Sequence, residues 1–543
     1  MIKQVIEKIK RKNQPITEPK VLTLKDLHIG VPDGYSESQE AWFENVFYTG
    51  NSYYNKLIED KNKYIITGKK GTGKTVLAKY YEGQQEKLGN PSCYMPVRKL
   101  ISKCLLETGT FTHSDIEWNL IIEYILLVCL GEMLLEKKAV IIKRQLWKYF
   151  IKRKDFKYLK DVVVRRWPNT NFATKGYTLK AGRKAKRTDN YSGALKGGTT
   201  FDPFTVENTI SEGYSSEIEK EDELTETIER NSYINQIESL KRVIESLTGN
   251  TLVNLIVDDI DEYDNHEEDR TNYIHFVASL IKVANRMNDE TNKGNRKSVR
   301  IIIFLRSDIR DLLLDVDANI NKAFLGKEIV LNWRKTTDSG VDISDLRRML
   351  ANKIRCSSSS LKSFSDRQIL KRFLPERIMG NTFDAYIRNK TFGRPRDVII
   401  LLGLIQEKHG DATAFTEAFF KEIRFDFSKA MLGEVRNEMS TFYSLETIEE
   451  CFSILREITT NSFSLADVQH IVDEGKHNLP ADEVCKICYA HGLIGNCRNS
   501  FDGCGKLICT WVYDERSPIP ILSIPFIIHP TLKSSISPYI PFQ

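Results

Sequence analysis

Apolar positions along the chain form short continuous runs and longer runs with helical spacing. Residues 63–67, 252–257 and 299–305 are mostly apolar and rich in β-branched side chains, which is typical of strands buried on both faces. Residues 269–288, between the second and third runs, carry apolar side chains three or four positions apart. This alternation of strand and helix predicts an α/β fold with a parallel sheet, whose ligands gather at the carboxyl ends of the strands.

Beyond residue 333 the pattern changes to helices. Short amphipathic segments within 341–409 and one longer helix over 412–439 predict a helical lid. Three further helices within 447–496, followed by apolar runs at 506–513 and 521–530, have the order of elements found in a winged helix. We therefore expect a winged-helix-like domain at the carboxyl terminus.

A glycine-rich loop, "GKKGTGKT" (residues 68–75, the glycine loop), lies between the first predicted strand and a predicted helix. Gly68, Gly73, Lys74 and Thr75 satisfy the pattern G-x-x-x-x-G-K-[ST]. Glycines permit positive φ, so that backbone N–H groups turn toward phosphate oxygens, and the following helix adds the positive end of its dipole. The alternative is a lysine-rich surface turn.

This motif predicts a nucleotide site. Lys74 would reach the β- and γ-phosphates, and the Thr75 hydroxyl would bind Mg²⁺. The predicted nucleotide-binding residues of the loop are Gly68, Lys69, Lys70, Gly71, Thr72, Gly73, Lys74, Thr75 and Val76.

Two aspartates end the second predicted strand. Asp258 is expected to hold the magnesium ion together with Thr75, and Asp259 to polarise an attacking water. A strand ending in solvated acids is the alternative, and the nearby Asp261, Glu262 and Asp264 could share the role of Asp259.

Arg306 ends the third predicted strand, where a guanidinium could sense the γ-phosphate. We therefore include it among the catalytic candidates with Lys74 and Asp259. An ion pair between Arg306 and Asp308 is the competing interpretation.

The quoted motifs, together with the later "FGRPRDVI", resemble the P-loop ATPases of the additional-strand division, within its AAA-like and signal-transduction branch. That branch includes bacterial ATPases of prophage and anti-phage defence loci. The resemblance spans residues 63–402, and it implies that Arg394 and Arg396 contact the nucleotide from the lid. The 184 positions between Lys74 and Asp258 exceed the compact family pattern, which predicts an insertion at about residues 110–230.

The composition of the chain limits the number of domains and the partners that the sequence supports. A chain of 543 residues is expected to form about two to four domains, and a net charge of +6 is too weak by itself to indicate a nucleic-acid partner. Residues 143–196, however, hold seventeen Lys and Arg against three Asp and Glu, interleaved with aromatics. This segment could bind DNA or RNA, or it could be a solvated helix face and loop.

No secretory signal is apparent at the start of the sequence, and the apolar run at 120–135 contains Glu123 and Glu132. That run is shorter than the roughly 20 apolar residues of a membrane span, so we expect a buried helix and a cytoplasmic protein without a membrane. Ten cysteines do not indicate a disulfide scaffold. The pair Cys485 and Cys488 admits a zinc site, with small core residues as the alternative.

The predicted domains are an N-terminal segment (1–62), a P-loop core (63–335), a helical lid (336–438) and a winged-helix-like domain (439–543). With ATP and Mg²⁺ as cofactors, the expected function is an ATP-hydrolysing molecular switch, placed in anti-phage defence by the resemblance. The alternatives are a nucleic-acid-binding ATPase that uses 143–196 and the winged helix, and a nucleotide-binding scaffold that never hydrolyses. The sequence leaves open a homo-oligomer and a separate effector protein as partners.

Overall fold

The computed structural model describes residues 21–108, 115–144, 149–169, 222–260, 267–291, 298–317, 319–334, 344–499, 507–513 and 519–536. Contacts within the chain divide it into two compact units. The sheet unit consists of Asp33–Glu40 and Asn51–Asn332, and the helical unit consists of Met1–Pro32, Ala41–Gly50 and Trp333–Gln543.

A five-stranded parallel sheet forms the centre of the sheet unit. Its strands are β1 (Ile65–Gly68), β2 (Ser92–Pro96), β3 (Val253–Asp258), β4 (Val299–Arg306) and β5 (Glu328–Val330), in the spatial order β2-β3-β4-β1-β5. Every residue of β3 and β4 is buried, as their continuous apolar composition requires. The predicted α/β fold with a parallel sheet is confirmed, although β2 was not predicted.

Twelve helices are described between residues 34 and 324. They are α1 (Gly34–Gln39), α2 (Phe43–Val46), α3 (Tyr53–Glu59), α4 (Lys74–Lys87), α5 (Val97–Thr108), α6 (Asp115–Glu136), α7 (Lys138–Arg144), α8 (Tyr149–Asn169), α9 (Asp222–Thr248), α10 (Glu267–Thr291), α11 (Ser307–Val316) and α12 (Asn321–Phe324). Helix α2 belongs to the helical unit, and the others belong to the sheet unit.

Helix α6 is the most apolar helix of the described residues, and it packs against α9 and α10. The Trp118 indole meets the Phe276 ring edge-on, with ring centroids 5.3 Å apart. By length and composition α6 could cross a membrane, but 78% of its most apolar window is buried inside the protein. This burial identifies α6 as a core helix and confirms the buried helix predicted at 120–135.

A buried carboxylate connects α6 to its two neighbours. Glu123 is 4% exposed, and its oxygens pair with Lys241 of α9 at 2.6 Å and with Arg286 of α10. Since α10 packs directly on β4, Glu123 ties the inserted helices to the sheet that carries the predicted site.

The helical unit continues with two small sheets and ten helices among the residues described after 343. The helices are α13 (Asp345–Arg355), α14 (Asp366–Phe373), α15 (Phe383–Lys390), α16 (Pro395–His409), α17 (Glu417–Glu422), α18 (Arg424–Met439), α19 (Leu445–Glu457), α20 (Leu465–Gly475), α21 (Ala481–Ala490) and α22 (Lys533–Ile536). The strands are β6 (Arg377–Ile378), β7 (Asn381–Thr382), β8 (Ile494–Asn499), β9 (Leu507–Thr510) and β10 (Phe526–Ile528).

The single long helix predicted over 412–439 is wrong, because two helices, α17 and α18, occupy this stretch. The break falls at Ile423, which is fully buried and has a ψ of 3°. No proline or glycine marks this position, so the local sequence gives little warning. Phe420, Ile423 and Phe427 are all buried, and their spacing would place them on one face of a continuous helix as well, so their burial does not account for the break.

Helices α19, α20 and α21 precede an antiparallel sheet with the order β10-β8-β9. Cys485 and Cys488 of α21 are buried together with Cys451 in the apolar core of the helical unit. No group of three or more metal-binding side chains occurs among the described residues, and Cys504 lies outside them.

Removal of the Glu123 carboxylate should destabilise the sheet unit, because Lys241 and Arg286, whose side chains are 30% and 45% exposed, lose the buried partner that links α6 to α9 and α10. We expect Glu123→Ala to lower the free energy of unfolding by about 2 kcal/mol, measured by urea denaturation. The exposed acid Glu238, which pairs with Arg242 at 3.5 Å, provides the control. Glu238→Ala should cost less than about 0.5 kcal/mol, and an equal effect of the two changes would contradict this role of Glu123.

Candidate functional site

The glycine loop connects β1 to α4 at the carboxyl edge of the sheet. Gly71 and Gly73 have positive φ values of 80° and 89°, as a loop with inward-turned N–H groups requires. A residue larger than glycine would be too crowded at position 68, because its Cβ would lie 2.6 Å from Thr72 Oγ1. Apart from its chain neighbours, no described residue lies within 4 Å of a Cβ added at Gly73, so a glycine is needed there for its positive φ and not for space.

Lys74 is the first residue of α4, and its ammonium group stays within the loop. Its Nζ donates hydrogen bonds to the carbonyl oxygens of Gly68 at 3.0 Å and Lys69 at 3.1 Å. Thr72 Oγ1 also donates to the Lys69 carbonyl, at 2.8 Å. The loop therefore holds a positive charge beside backbone N–H groups at a helix N-terminus, an arrangement suited to an anion.

Asp258 and Thr75 meet, although 183 residues separate them in the sequence. The Thr75 side chain is hydrogen-bonded to the Asp258 carboxylate, and the charge of Lys74 also acts on that group. Asp258 is 1% exposed. Burial, followed by the neighbouring charge of Asp259, raises the pKa of Asp258 to about 7, whereas Thr75 and Lys74 act in the opposite direction.

Asp259 adopts a left-handed backbone conformation, with φ of 58°. This conformation is uncommon for a residue with a side chain and is found at functional sites. Its Oδ2 accepts a hydrogen bond of 2.8 Å from the hydroxyl group of Tyr94, which also lies 3.1 Å from Asp258 Oδ2. Tyr94 thus joins the two acids.

Sequence reasoning missed Tyr94, because β2 was not predicted. In the sheet Tyr94 stands opposite Ile256, two residues before Asp258, so the strand register brings its hydroxyl group to the acids. Burial and the two carboxylates raise the pKa of Tyr94, which keeps it a hydrogen-bond donor. Lys79 Nζ lies 3.7 Å from the centre of the Tyr94 ring and pairs with Glu82.

Arg306 ends β4 directly opposite Gly68 of β1, at the edge where the loop begins. It is 2% exposed, and its guanidinium forms a bidentate pair with Asp308. The ion pair considered as the alternative is therefore present. A role of Arg306 as a γ-phosphate sensor stays a prediction.

A short segment from the N-terminal part of the chain lies against the start of α4. A Cβ added at Gly34 would be 3.0 Å from Val76 Cγ2 and 3.3 Å from Thr75 Cβ. Helix α1, which begins at Gly34, packs along α4. Helix α1 thus borders the glycine loop. The sequence predicted residues 1–62 only as an N-terminal segment that leads into the core.

The two predicted lid arginines belong to the helical unit. Arg394 is buried and pairs with Asp397 at 2.9 Å and with Glu438. Arg396 Nε donates to the Pro32 carbonyl at 3.0 Å, and its guanidinium pairs with Glu434 at 3.2 Å. Their contact with a nucleotide stays a prediction.

Several predictions fall on residues outside the described ranges. Asp261, Glu262 and Asp264 lie there, as does most of the basic segment 143–196. Helix α8 is the longest described part of that segment, and Lys152 donates a hydrogen bond to the Leu247 carbonyl at 3.2 Å.

Residues 344–436 match the FunZ-associated C-terminal helical domain, which is associated with defence loci. The match begins at the residue that caps α13 and ends within α18, so it covers helical-unit residues that include Arg394 and Arg396. No curated protein matches the chain. The parallel five-stranded sheet and this helical domain together fit an α/β core of the NTPase type.

The raised pKa of Asp258 has a consequence for stability. Since the folded-state pKa of Asp258, about 7, lies above the ordinary aspartate value of 3.8, ionisation opposes folding. The contribution of Asp258 to the free energy of unfolding is therefore greatest at acidic pH and is lost as the pH rises toward 7. Without nucleotide or Mg²⁺, Asp258→Asn should stabilise the chain at pH 8 by on the order of 2 kcal/mol, and by less at pH 5.

Urea denaturation of both proteins at the two pH values measures this difference. Asp289→Asn provides the control, because Asp289 is exposed on α10 and pairs with Lys327 at 2.9 Å. Asp289→Asn should change the free energy of unfolding by a similar amount at both pH values. A loss of stability in Asp258→Asn at pH 8 would show that the carboxylate is stabilising when charged.

Proposed function

We propose that the chain is a Mg²⁺-dependent ATP-binding and ATP-hydrolysing molecular switch of the P-loop type. The observation that carries the proposal is the hydrogen bond between Thr75 and Asp258 beside Lys74. These residues come from distant segments, and they meet at the carboxyl edge of a parallel sheet, where ligands of such sheets bind. Strand β4 between β1 and β3 supports the additional-strand division that the sequence resembles.

The loop suits a triphosphate. Its N–H groups and Lys74 would bind phosphate oxygens, and the positive φ values of Gly71 and Gly73 support this role. An anion there would compete with the Gly68 and Lys69 carbonyls for the Lys74 ammonium group.

A hydroxyl and a carboxylate in contact are ligands that suit Mg²⁺, which prefers oxygen. Thr75 and Asp258 fit that requirement and would hold the ion. When bound, Mg²⁺ would supply positive charge that neutralises the phosphates.

Asp259 would accept a proton from the attacking water, and Tyr94 would fix the orientation of its carboxylate through the 2.8 Å hydrogen bond. Arg306 stands at the same sheet edge and would stabilise negative charge once released from Asp308. Asp259, Tyr94 and Arg306 each have a role in the proposed hydrolysis.

The helical unit would transmit the nucleotide state. Arg394 caps α16 and Arg396 lies in its first turn, and both would respond to nucleotide by exchanging their present partners, Glu438 and Glu434. The match to the FunZ-associated domain supports a role in anti-phage defence. We place the protein in the cytoplasm, without a membrane, with a homo-oligomer and a separate effector as its proposed partners.

The nucleic-acid-binding ATPase remains a second hypothesis. The three helices and antiparallel sheet that end the chain support a winged-helix-like domain, but Lys486 of α21 is paired with Asp482 at 2.7 Å. Stimulation of ATP turnover by DNA or RNA, weakening steeply with salt, would favour this hypothesis.

Lys74→Ala should weaken ATP binding by about a hundredfold or more, because the ammonium group that contacts the phosphates is removed. Isothermal titration calorimetry with ATP and Mg²⁺ measures the affinity. Lys87→Ala, an exposed lysine at the other end of α4, should bind as the parent does. Unchanged affinity in Lys74→Ala would discard the phosphate-binding role of the loop.

Asp259→Asn should retain ATP binding and lower turnover at least about a hundredfold, since the amide cannot accept the proton from water. Phosphate release at saturating ATP measures turnover, with Asp289→Asn as the control. Normal turnover in Asp259→Asn would transfer the role to another acid. A parent protein that binds ATP without releasing phosphate under any condition would instead indicate a scaffold.

A further inference from the structure

Helix α8 is held against the rest of the sheet unit by one apolar face. Phe156, Leu159 and Val163 are buried, and α8 packs on α6 and α9. The approach to α6 is so close that a Cβ added at Gly131 would lie 2.8 Å from Leu159 Cδ1. These contacts determine which face of α8 is turned to solvent.

The solvent face of α8 carries four cations. Arg153, Lys154, Lys157 and Lys160 are all exposed. Arg153, Lys157 and Lys160 follow one another at spacings of four and three, which places them on one side of the helix with Lys154 next to them. The distance along the helix axis from Arg153 to Lys160 is about 10 Å, which about three successive phosphates of one nucleic-acid strand would span.

These four cations form no ion pair and no side-chain hydrogen bond with the residues that the structure describes. Other lysines of the sheet unit do have acidic partners, since Lys103 pairs with Glu132, Lys137 with Glu86 and Lys327 with Asp289. The charges on α8 are therefore available to a partner from outside the chain.

The acids of α8 do not cancel this charge. Asp161, which is half-buried, follows Lys157 by four positions and so lies on the cationic side of the helix. Asp155 is turned toward α9, where it accepts a hydrogen bond from the Ser246 hydroxyl group. One acid against four cations leaves the solvent face of α8 positively charged.

A positive helix face attracts either an anionic membrane or a nucleic acid, and the packing of α8 favours the nucleic acid. A helix that binds a membrane surface inserts its apolar face among the lipids. The apolar face of α8 is already buried against α6 and α9. Binding to a nucleic-acid backbone requires no such face, because it depends on charge.

An aromatic side chain lies beside the cations. Tyr158 is 36% exposed and follows Lys154 by four positions, so its ring lies next to that ammonium group on the helix surface. Aromatic rings among cations stack on unpaired bases in proteins that bind single strands. The ring therefore favours a single strand over a duplex, whose bases are already stacked.

We propose that the solvent face of α8 binds single-stranded nucleic acid, with the phosphates on Arg153, Lys154, Lys157 and Lys160 and a base stacked on Tyr158. DNA and RNA share this chemistry, so both are tested. The binding requires neither ATP nor the winged-helix-like domain, and it is therefore independent of the proposed hydrolysis.

The test measures the affinity for labelled oligothymidylate and oligouridylate of about 20 nucleotides by fluorescence anisotropy. The background protein is the full chain with Lys74→Ala, without ATP, so that the glycine loop does not contribute. The α8 triple variant adds Lys154→Gln, Lys157→Gln and Lys160→Gln. It should bind roughly tenfold or more weakly, because three phosphate contacts are lost.

The salt dependence of binding provides a second readout. Each phosphate contact on a single strand contributes about 0.7 to the slope of log affinity against log salt concentration. The slope should therefore be smaller by about 2 in the α8 triple variant than in the background protein.

A matched control changes the net charge by the same amount elsewhere. Lys362→Gln, Lys371→Gln and Lys429→Gln together replace three exposed lysines of the helical unit. This control variant should bind both oligonucleotides as the background protein does. Both triple variants should keep the melting temperature of the background, because substitutions of exposed residues change stability little.

The stacking role of Tyr158 is tested separately. Tyr158→Ala should weaken binding of the single strands roughly fivefold or more, because the ring that stacks on a base is removed. Tyr158→Phe should retain the affinity, since the ring remains. Unchanged affinity in Tyr158→Ala would contradict the stacking role.

Equal binding by the α8 triple variant and the control variant, or no binding of either oligonucleotide by the background protein, would overturn the proposal. Vesicles of phosphatidylcholine and phosphatidylserine in equal parts test the other partner. Vesicle binding that depends on the α8 lysines, without binding of oligonucleotides, would overturn the proposal in favour of a membrane. Since no ATP is present and Lys74 is replaced, none of these results bears on the proposed ATPase.

Discussion

The contact between Thr75 and Asp258 is the constraint on which the candidate site depends. It exists because β1 and β3 run parallel with β4 between them, so that the loop after one strand and the acid at the end of another reach the same edge. Antiparallel order would have placed the acid at the opposite edge. Backbone pairing across β1, β4 and β3 thus brings together two residues that no local interaction could hold in contact.

Burial of charge at this edge is balanced by nearby donors. Asp258 is almost inaccessible, and Thr75, Lys74 and Tyr94 provide hydrogen bonds or positive charge within reach of it. Like charges on Asp258 and Asp259 repel each other, which stores unfavourable energy in the chain without ligand. A cation bound between the acid and the hydroxyl would relieve that repulsion, and this relief gives the site a physical basis for responding to Mg²⁺.

The helical unit shows the same principle of compensated burial. Arg394 is buried, but two carboxylates balance it, and Arg396 shares its charge with Glu434.

The sequence by itself determined the parallel sheet, the position of the glycine loop and the acids at the end of β3, because each follows from local pattern and spacing. Tertiary structure decided the rest. Tyr94 reaches the acids only through the register of β2 against β3, and Gly34 borders Thr75 only because α1 packs on α4. The break between α17 and α18 at Ile423 also could not be predicted, because the local apolar spacing is that of a continuous helix.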